Sequence, residues 1–218
     1  MPETRAYHSP RREQAAATTR GDIMTAAREL FAARGYPRVT VAEIARRART
    51  AVKTVYASAG GKAEILAELL AGAVANSGGR ETLELVRATT DLASAMAVVA
   101  HGTRLGNEHN GDIVAIMYSA AFADEGAEAI WAQGTSEYRE ILRAVAAHVA
   151  TLGSEVDTER AADVLWFCFG FGAWRALVGE SGWSFDDAEA WLCAQAIRML
   201  GGTERTASGP ISIPWLRN

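Results

Sequence analysis

Only two cysteines, Cys168 and Cys193, occur in the chain, and both sit among apolar or aromatic residues. Two thiols cannot form a disulfide framework, and no C-x-x-C or Cys/His cluster points to a metal. They read as buried free thiols of a reducing compartment. Proline is scarce, with five residues, and β-branched runs are missing, so helix is seldom interrupted and a sheet is not favoured. There is no signal peptide and no uninterrupted apolar run of about 18 residues, so a soluble, cytoplasmic protein is expected. Catalytic signatures are missing too: no G-x-S-x-G elbow, Walker lysine loop, dinucleotide glycine pattern or H-E-x-x-H. Gly170-x-Gly172 lacks the strand a phosphate loop needs, and Asp186-Asp187 sits at a helix start, where the dipole accounts for two acids. No enzyme activity, cofactor or metal is therefore expected.

What is present is an alanine-rich chain of 218 residues, 49% of them hydrophobic. That length and composition suit an all-α fold with a core of its own, as one large domain or a small and a larger one. The net charge of −4 conceals an asymmetry. Residues 1–62 hold twelve Lys and Arg against five Asp and Glu, a net of +7, whereas residues 63–218 carry −11. A basic excess confined to one end is the electrostatic footprint of nucleic-acid binding.

The basic end is organised around residues 40–62, TVAEIARRARTAVKTVYASAGGK. Thr40 and Glu43 have the spacing of a capping box, with Val39 and Ile44 placed as a hydrophobic staple. Val41, Ile44, Ala45 and Ala48 recur at helical spacing, while Glu43, Arg46 and Arg47 face outward. A turn at Arg49-Thr50-Ala51 leads to a helix of barely two turns carrying Val52, Lys53, Thr54, Val55 and Tyr56. Too short to persist alone, it must be held by packing. Helix, tight turn, short polar helix: this is a helix-turn-helix.

Residues 23–66 resemble the DNA-binding domain of the TetR family of bacterial transcriptional regulators. The resemblance rests on Ala26-Ala27, Leu30-Phe31, Gly35-Tyr36, Thr40-Val41, Ile44-Ala45, Ala48, Thr54, Tyr56 and Lys62, at the family's spacing without a gap. Four positions depart from the family's pattern. Arg49 replaces the turn glycine, Thr50 an aliphatic residue, Ala51 the serine cap of the recognition helix, and Ala59 an anchoring phenylalanine. Thr50 is the one neighbour placed to substitute as a cap. The resemblance implies that Val52, Lys53 and Thr54 face base edges. It also implies that Thr40, Tyr56 and Lys62 grip phosphates, with Arg49 beside them.

Residues 1–17 read as a flexible basic arm, whose Arg5, Arg11 and Arg12, with Arg20 beyond it, suit the minor groove or simply solvent. Thr19 and Asp22 are placed to cap the first helix, which Gly35 ends. The helix-turn-helix domain then spans 18–62, a larger helical domain 63–202, and a C-terminal tail 203–218 holds Ile211, Ile213, Trp215 and Leu216. Lys62 opens a link helix with Ile65, Leu66, Leu69 and Leu70 on its buried side. Further helices are expected over about 81–89, 91–107, 111–123, 126–152, 157–179 and 184–200, with breaks at Asn107–Gly111 and elsewhere. Ser184 and Asp187 cap the last.

The family's ligand pocket lies among these helices. The resemblance marks Leu66, Leu70, Met96, Val99, His101, Thr103, Met117, Tyr118, Trp131, Tyr138, Trp166 and Phe169 as candidate lining for a small apolar or aromatic effector. It also implies a homodimer through the last two long helices, with Phe167, Gly170, Phe171, Trp174, Trp191 and Gln195 at the interface. Gly170 and Gly172 inside an apolar helix suggest a close helix approach or room for a ligand. The expectation is a homodimeric repressor released from a palindromic DNA operator by its effector. Two alternatives are a helical small-molecule carrier with a vestigial DNA head and a small helical enzyme.

Overall fold

In the computed structural model, residues 10–122 and 125–201 are described, and they contain helices and turns with no strand. The helices are α1 (Pro10–Arg34), α2 (Val41–Arg47), α3 (Val52–Ala59), α4 (Lys62–Ala75), α5 (Gly79–Arg87), α6 (Leu92–Ala121), α7 (Glu125–Thr151), α8 (Thr158–Phe169), α9 (Phe171–Trp174) and α10 (Phe185–Met199). A 3-10 turn, Tyr36–Arg38, follows α1, and a π-helical segment, Arg175–Glu180, continues α9. Residues 1–9 and the tail from 202, including Arg5 and the apolar residues of 203–218, lie outside the described residues.

Two of the expected boundaries move. Helix α1 starts at Pro10, so residues 10–17 are helical and not an arm. The hydroxyls of Thr18 and Thr19 donate to the carbonyls of Gln14 and Ala15, 2.9 and 3.0 Å away, so Thr19 lies inside the helix and caps nothing. Such back-bonding satisfies a threonine within a helix. Nor is there a break at Asn107–Gly111, because α6 runs unbroken through it. Glycine there costs about 1 kcal/mol against alanine. The flanks outweigh it: Met96, Val99 and Ala100 are buried before it, and Ile113, Ile116 and Met117 after it.

The chain divides into two compact units, and α6 and α7 contribute to both. The first comprises the described residues up to 79 together with 105–138. Its core is one cluster. Ile23, Ala27 and Phe31 of α1 meet Ile44 and Ala45 of α2, Val55 and Ala59 of α3, Ile65, Leu66 and Leu70 of α4, and Ile113 and Met117 of α6. Because α3 buries only Val55 and Ala59, the short helix is held by its neighbours, as its length requires. Ion pairs tie α1 to the rest of the unit. Arg28 grips Asp112 of α6 with both ends of its guanidinium, at 2.5 and 2.6 Å, and reaches the His109 carbonyl at 3.2 Å. Arg20 holds Glu68 of α4 at 2.5 and 2.8 Å.

The second unit takes in residues 80–104 and the described residues from 139 onward. Val86, Met96, Leu142, Val149, Leu165, Phe169, Trp174 and Leu192 are all buried there. Asp157 caps α8, accepting from the Arg160 amide at 2.8 Å, and Ser184 caps α10, accepting from the Asp187 amide at 3.1 Å. The expected helix over 157–179 is interrupted at Gly170, which adopts an extended conformation between α8 and α9. A Cβ at Gly170 would collide with the Trp166 carbonyl and press on its indole ring. The glycine is therefore required by the break itself. By length and composition alone the stretch Thr158–Glu180 would be able to cross a membrane. Here Val164, Leu165, Cys168, Phe169 and Trp174 bury its apolar side in the unit. Burial also lifts the Cys168 thiol to about 11 and raises that of Cys193, next to Glu189, so both thiols stay protonated at neutral pH.

Candidate nucleic-acid interface

The helix-turn-helix begins at a fully formed capping box. The Glu43 amide donates to the Thr40 hydroxyl at 3.3 Å, and the Thr40 amide and hydroxyl each donate to Glu43 Oε2 at 2.9 Å. Arg34 holds the other carboxylate oxygen at 2.6 Å. These contacts, Arg34 first and Thr40 second, hold the Glu43 carboxyl down at about 2. Val39 and Ile44 are both buried, as a staple requires.

The turn between α2 and α3 explains the missing glycine. Arg49 has φ 54°, in the left-handed region, and no other described non-glycine residue has a positive φ. That region costs an L-residue roughly 1–2 kcal/mol. The strain is held in place by backbone bonds: Ala48 N–H to Ile44 O at 2.8 Å and Thr50 N–H to Ala45 O at 2.9 Å. Ala51 is the N-cap of α3 and no side chain caps the helix, so Thr50 does not substitute for the family's serine. A missing cap costs about 0.5–2 kcal/mol. Gly60, at φ 78°, then ends α3.

Outward from α3 point Val52, Lys53, Tyr56 and Ala57, all exposed, while Thr54 is half-buried. Val52 and Tyr56 expose 41% and 56% of their surface, large values for such side chains in a unit with a well-filled core. The cations of the basic end divide sharply. Arg20, Arg28, Arg34 and Arg47 are neutralised by Glu68, Asp112, Glu43 and Glu29. Arg38, Arg46, Arg49 and Lys53 are exposed, and no acidic partner is found for them among the described residues. Net charge alone does not make this division, which depends on ion pairs spanning up to 84 positions. Arg38 and Arg46 thus add two exposed cations of the same unit to those read from sequence. An open polar cleft of about 540 Å³ adjoins it, lined by Thr19, Asp22, Glu29, Arg47, Arg49 and Thr50 among others.

Lys62 is placed differently from an isolated phosphate clamp. Its ammonium donates to the Tyr36 carbonyl at 3.1 Å and lies 4.2 Å from the centre of the Tyr36 ring, so it also pins the 3-10 turn to α4. Gly61 opens α4, its amide donating to Glu64 at 3.0 Å.

The twelve residues read as effector lining fall in two sets. Leu66, Leu70, Met117, Tyr118, Trp131 and Tyr138 belong to the first unit, and Met96, Val99, His101, Thr103, Trp166 and Phe169 to the second. Leu66, Leu70 and Met117 are core. The Tyr118 and Trp131 rings lie 4.9 Å apart, and Gly134, between Trp131 and Tyr138 on α7, admits Leu70 so closely that a Cβ would meet it at 2.8 Å. Desolvation alone raises the Tyr138 phenol, so it stays a hydroxyl. In the second unit Met96, Val99 and Phe169 are core, and the Trp166 ring stacks under the Arg139 guanidinium at 4.5 Å. His101, by contrast, is exposed and faces Glu189 at 3.2 Å; Arg104 holds the same Glu189 at 2.9 Å and pairs with Asp186. Of the residues read as dimer contacts, Phe167 and Trp191 expose 66% and 41% of their surface, and Phe171 and Gln195 are half-buried. Trp174 and Gly170 are interior, with Trp174 packed on Phe185 at 5.9 Å, so neither presents a surface to a partner.

Residues 23–69 match the family model described as bacterial regulatory proteins, tetR family. No curated protein matches the sequence. Among solved structures, the chain is similar to the TetR family transcriptional regulator PfmR from Thermus thermophilus, with a TM-score of 0.61, 22% identity, and 84% of this chain and 96% of that one covered. It is similar to the fatty acid degradation regulator FadR from Bacillus halodurans, with a TM-score of 0.66, 17% identity, and 91% and 98% covered. It is also similar to the transcriptional regulator FadR from Bacillus subtilis in complex with stearoyl-CoA, with a TM-score of 0.65, 16% identity, and 84% and 98% covered. Residues 23–69 thus carry the segment described by the family's own model, and the chain shares the fold of solved regulators of the TetR family.

Proposed function

We propose that the chain is a cytoplasmic, homodimeric transcriptional regulator, a repressor that leaves a palindromic operator when a small apolar effector binds. One observation carries the DNA-binding part of this reading. Four exposed cations without acidic partners among the described residues, Arg38, Arg46, Arg49 and Lys53, lie on an exposed two-turn helix and on the elements that lead into it. Val52, Lys53 and Thr54 address base edges. Thr40, Arg49, Tyr56 and Lys62, with Arg38 and Arg46, hold the phosphates. Phosphate contacts set register and most of the affinity, and base contacts set the sequence. The exposed Phe167 on α8 and Trp191 on α10 support a dimer through those helices, with Phe171 and Gln195 alongside.

An apolar effector is supported by the candidate lining, which is mostly aliphatic and aromatic, and by the stearoyl-CoA bound to the Bacillus subtilis relative. Within the first unit, α4 carries Lys62 at one end and Leu66 and Leu70 along its length. A ligand pressing on Leu66, Leu70 and Tyr118 would displace α4, and through Arg20–Glu68 the displacement would reach α1. Two heads must enter major grooves about 34–36 Å apart, so a change of a few ångströms releases the operator. Typical coupling of about 1–3 kcal/mol corresponds to 5–150-fold in affinity.

The test is selection from a random double-stranded DNA pool. The reading predicts enrichment of an inverted repeat with half-site centres one helical turn apart. A pool with no enriched sequence after repeated rounds would overturn it.

A further inference from the structure

The outward face of α3 has an unusual chemical inventory. Ala51, Val52 and Ala57 offer only carbon, Lys53 one ammonium and Tyr56 one phenol. There is no carboxylate and no carboxamide anywhere in α3. In the major groove each base pair shows its own pattern, and each pattern asks for its own side chain. Adenine is paired bidentately by Asn or Gln, and the cytosine amino group by Asp or Glu; α3 has none of these. Guanine O6 and N7 accept from Lys, and the thymine 5-methyl group takes an apolar contact.

From this face we infer that the protein reads thymine through its 5-methyl group, seated against Val52, next to a guanine read by Lys53. The inference rests on the DNA-binding reading above and adds the base class to it. Val52 is the first residue of α3, the end a recognition helix points at base edges, and it leaves 41% of its surface uncovered. An isopropyl group left there gains from burial only if something apolar meets it. In the major groove the apolar group is the thymine methyl. Thr54, the other candidate for a base edge, is half-buried and offers less. Arg38, Arg46 and Arg49, without acidic partners among the described residues, belong to the preceding 3-10 turn, α2 and the interhelical turn. The apolar face is thus flanked by charge that draws it onto a duplex.

The experiment uses the full chain and the site enriched from the random pool, with each thymine replaced in turn by deoxyuridine. That swap deletes one methyl group and leaves the pairing edge unchanged. Burying a methyl corresponds to roughly four-fold in affinity, and about fifteen-fold when both half-sites lose it. One thymine per half-site, beside a guanine, should show this loss. Val52→Ala, at an exposed position where folding is insensitive, should bind the thymine site more weakly and no longer distinguish thymine from uracil there. If every thymine is replaceable without loss, or if Val52→Ala keeps the full discrimination, the inference is overturned while the regulator reading stands. If no site is enriched at all, the regulator reading falls and takes this inference with it.

Discussion

The Lys62 ammonium sits 3.1 Å from the Tyr36 carbonyl oxygen and 4.2 Å from the centre of the Tyr36 ring. One side chain at the start of α4 thus closes the turn that follows α1. A charge-assisted hydrogen bond contributes about 1.5–3 kcal/mol when buried and a cation–π contact about 0.5–1 at exposed sites. For this half-buried pair, Lys62→Ala should cost about 1–2 kcal/mol in urea unfolding as well as weakening binding to every DNA sequence alike. Tyr36→Phe keeps both contacts, so Lys62→Ala should cost as much in that background as in the parent protein. A Lys62→Ala protein of unchanged stability would show that the contact to Tyr36 carries no weight.

Arg49 bears the only positive φ found among described non-glycine residues. Arg49→Gly relieves a conformation costing roughly 1–2 kcal/mol but adds chain entropy of about 0.5–1. The net expectation is a gain of about 0.5–1 kcal/mol in unfolding experiments. At the same time DNA affinity should fall, because a cation is lost from the interface. Strain retained where the charge is needed is the expected sign of a functional site. A variant that is more stable and binds DNA as tightly would remove Arg49 from the interface.

Two carboxylates make acid the weak side of the first unit. Glu43 is depressed from 4.5 to about 2, chiefly by Arg34 and then by Thr40. Asp112 is lowered by its hydrogen bonds to Arg28. A depressed acid stabilises the fold fully above its unfolded pKa, and that contribution is lost as pH falls through the folded one. Stability should therefore be flat above about pH 5 and decline toward pH 2, with Glu43→Gln showing a shallower decline than the parent protein. Asp112→Asn should act in the same direction and cost about 0.5–1 kcal/mol at neutral pH, because both partners are about 40% exposed and solvent screens them. Parallel pH profiles for Glu43→Gln and the parent would contradict the assignment.

Glycines 111 and 170 should respond oppositely to alanine. Nothing lies within 4 Å of a Cβ at Gly111, inside α6, so Gly111→Ala should stabilise by about 0.5–1 kcal/mol. At Gly170 the added Cβ strikes the Trp166 carbonyl, so Gly170→Ala should destabilise by about 1 kcal/mol or more. Thermal unfolding of the two variants decides it, and a tolerated Gly170→Ala would mean that the break after α8 is not held by glycine.

The local rules were legible in the sequence wherever a short stretch decides the outcome. Thr40 with Glu43, Ser184 with Asp187, and Gly35 and Gly60 at helix ends all act over a few residues. What escaped depends on distance or on competition. Asn107–Gly111 reads as a break because its residues are poor helix formers, but buried apolar residues on either side carry α6 through. Residues 10–17 read as an arm because they bury little, yet they extend a helix nucleated by Ile23, Ala27 and Phe31. Which arginines remain free for DNA depends on partners such as Glu68 and Asp112, far away in sequence, and local patterning carries no trace of those pairings. His101 reads as an interior polar residue because its neighbours are apolar, but the helix turns it out toward Glu189.

The most direct test of the whole account is the salt dependence of affinity for the enriched operator. Neutralising phosphates releases counterions, so log affinity should fall linearly with log salt, by about 0.9 per phosphate contact. The proposed phosphate contacts of each head include three cations without acidic partners among the described residues, Arg38, Arg46 and Arg49. With phosphate contacts in both half-sites, the slope should be steeper than about −4. Arg46→Ala, which removes one contact from each half-site, should make it shallower by about two and leave the preferred sequence unchanged. A slope near zero, or one that Arg46→Ala does not alter, would contradict the claim that this surface binds DNA.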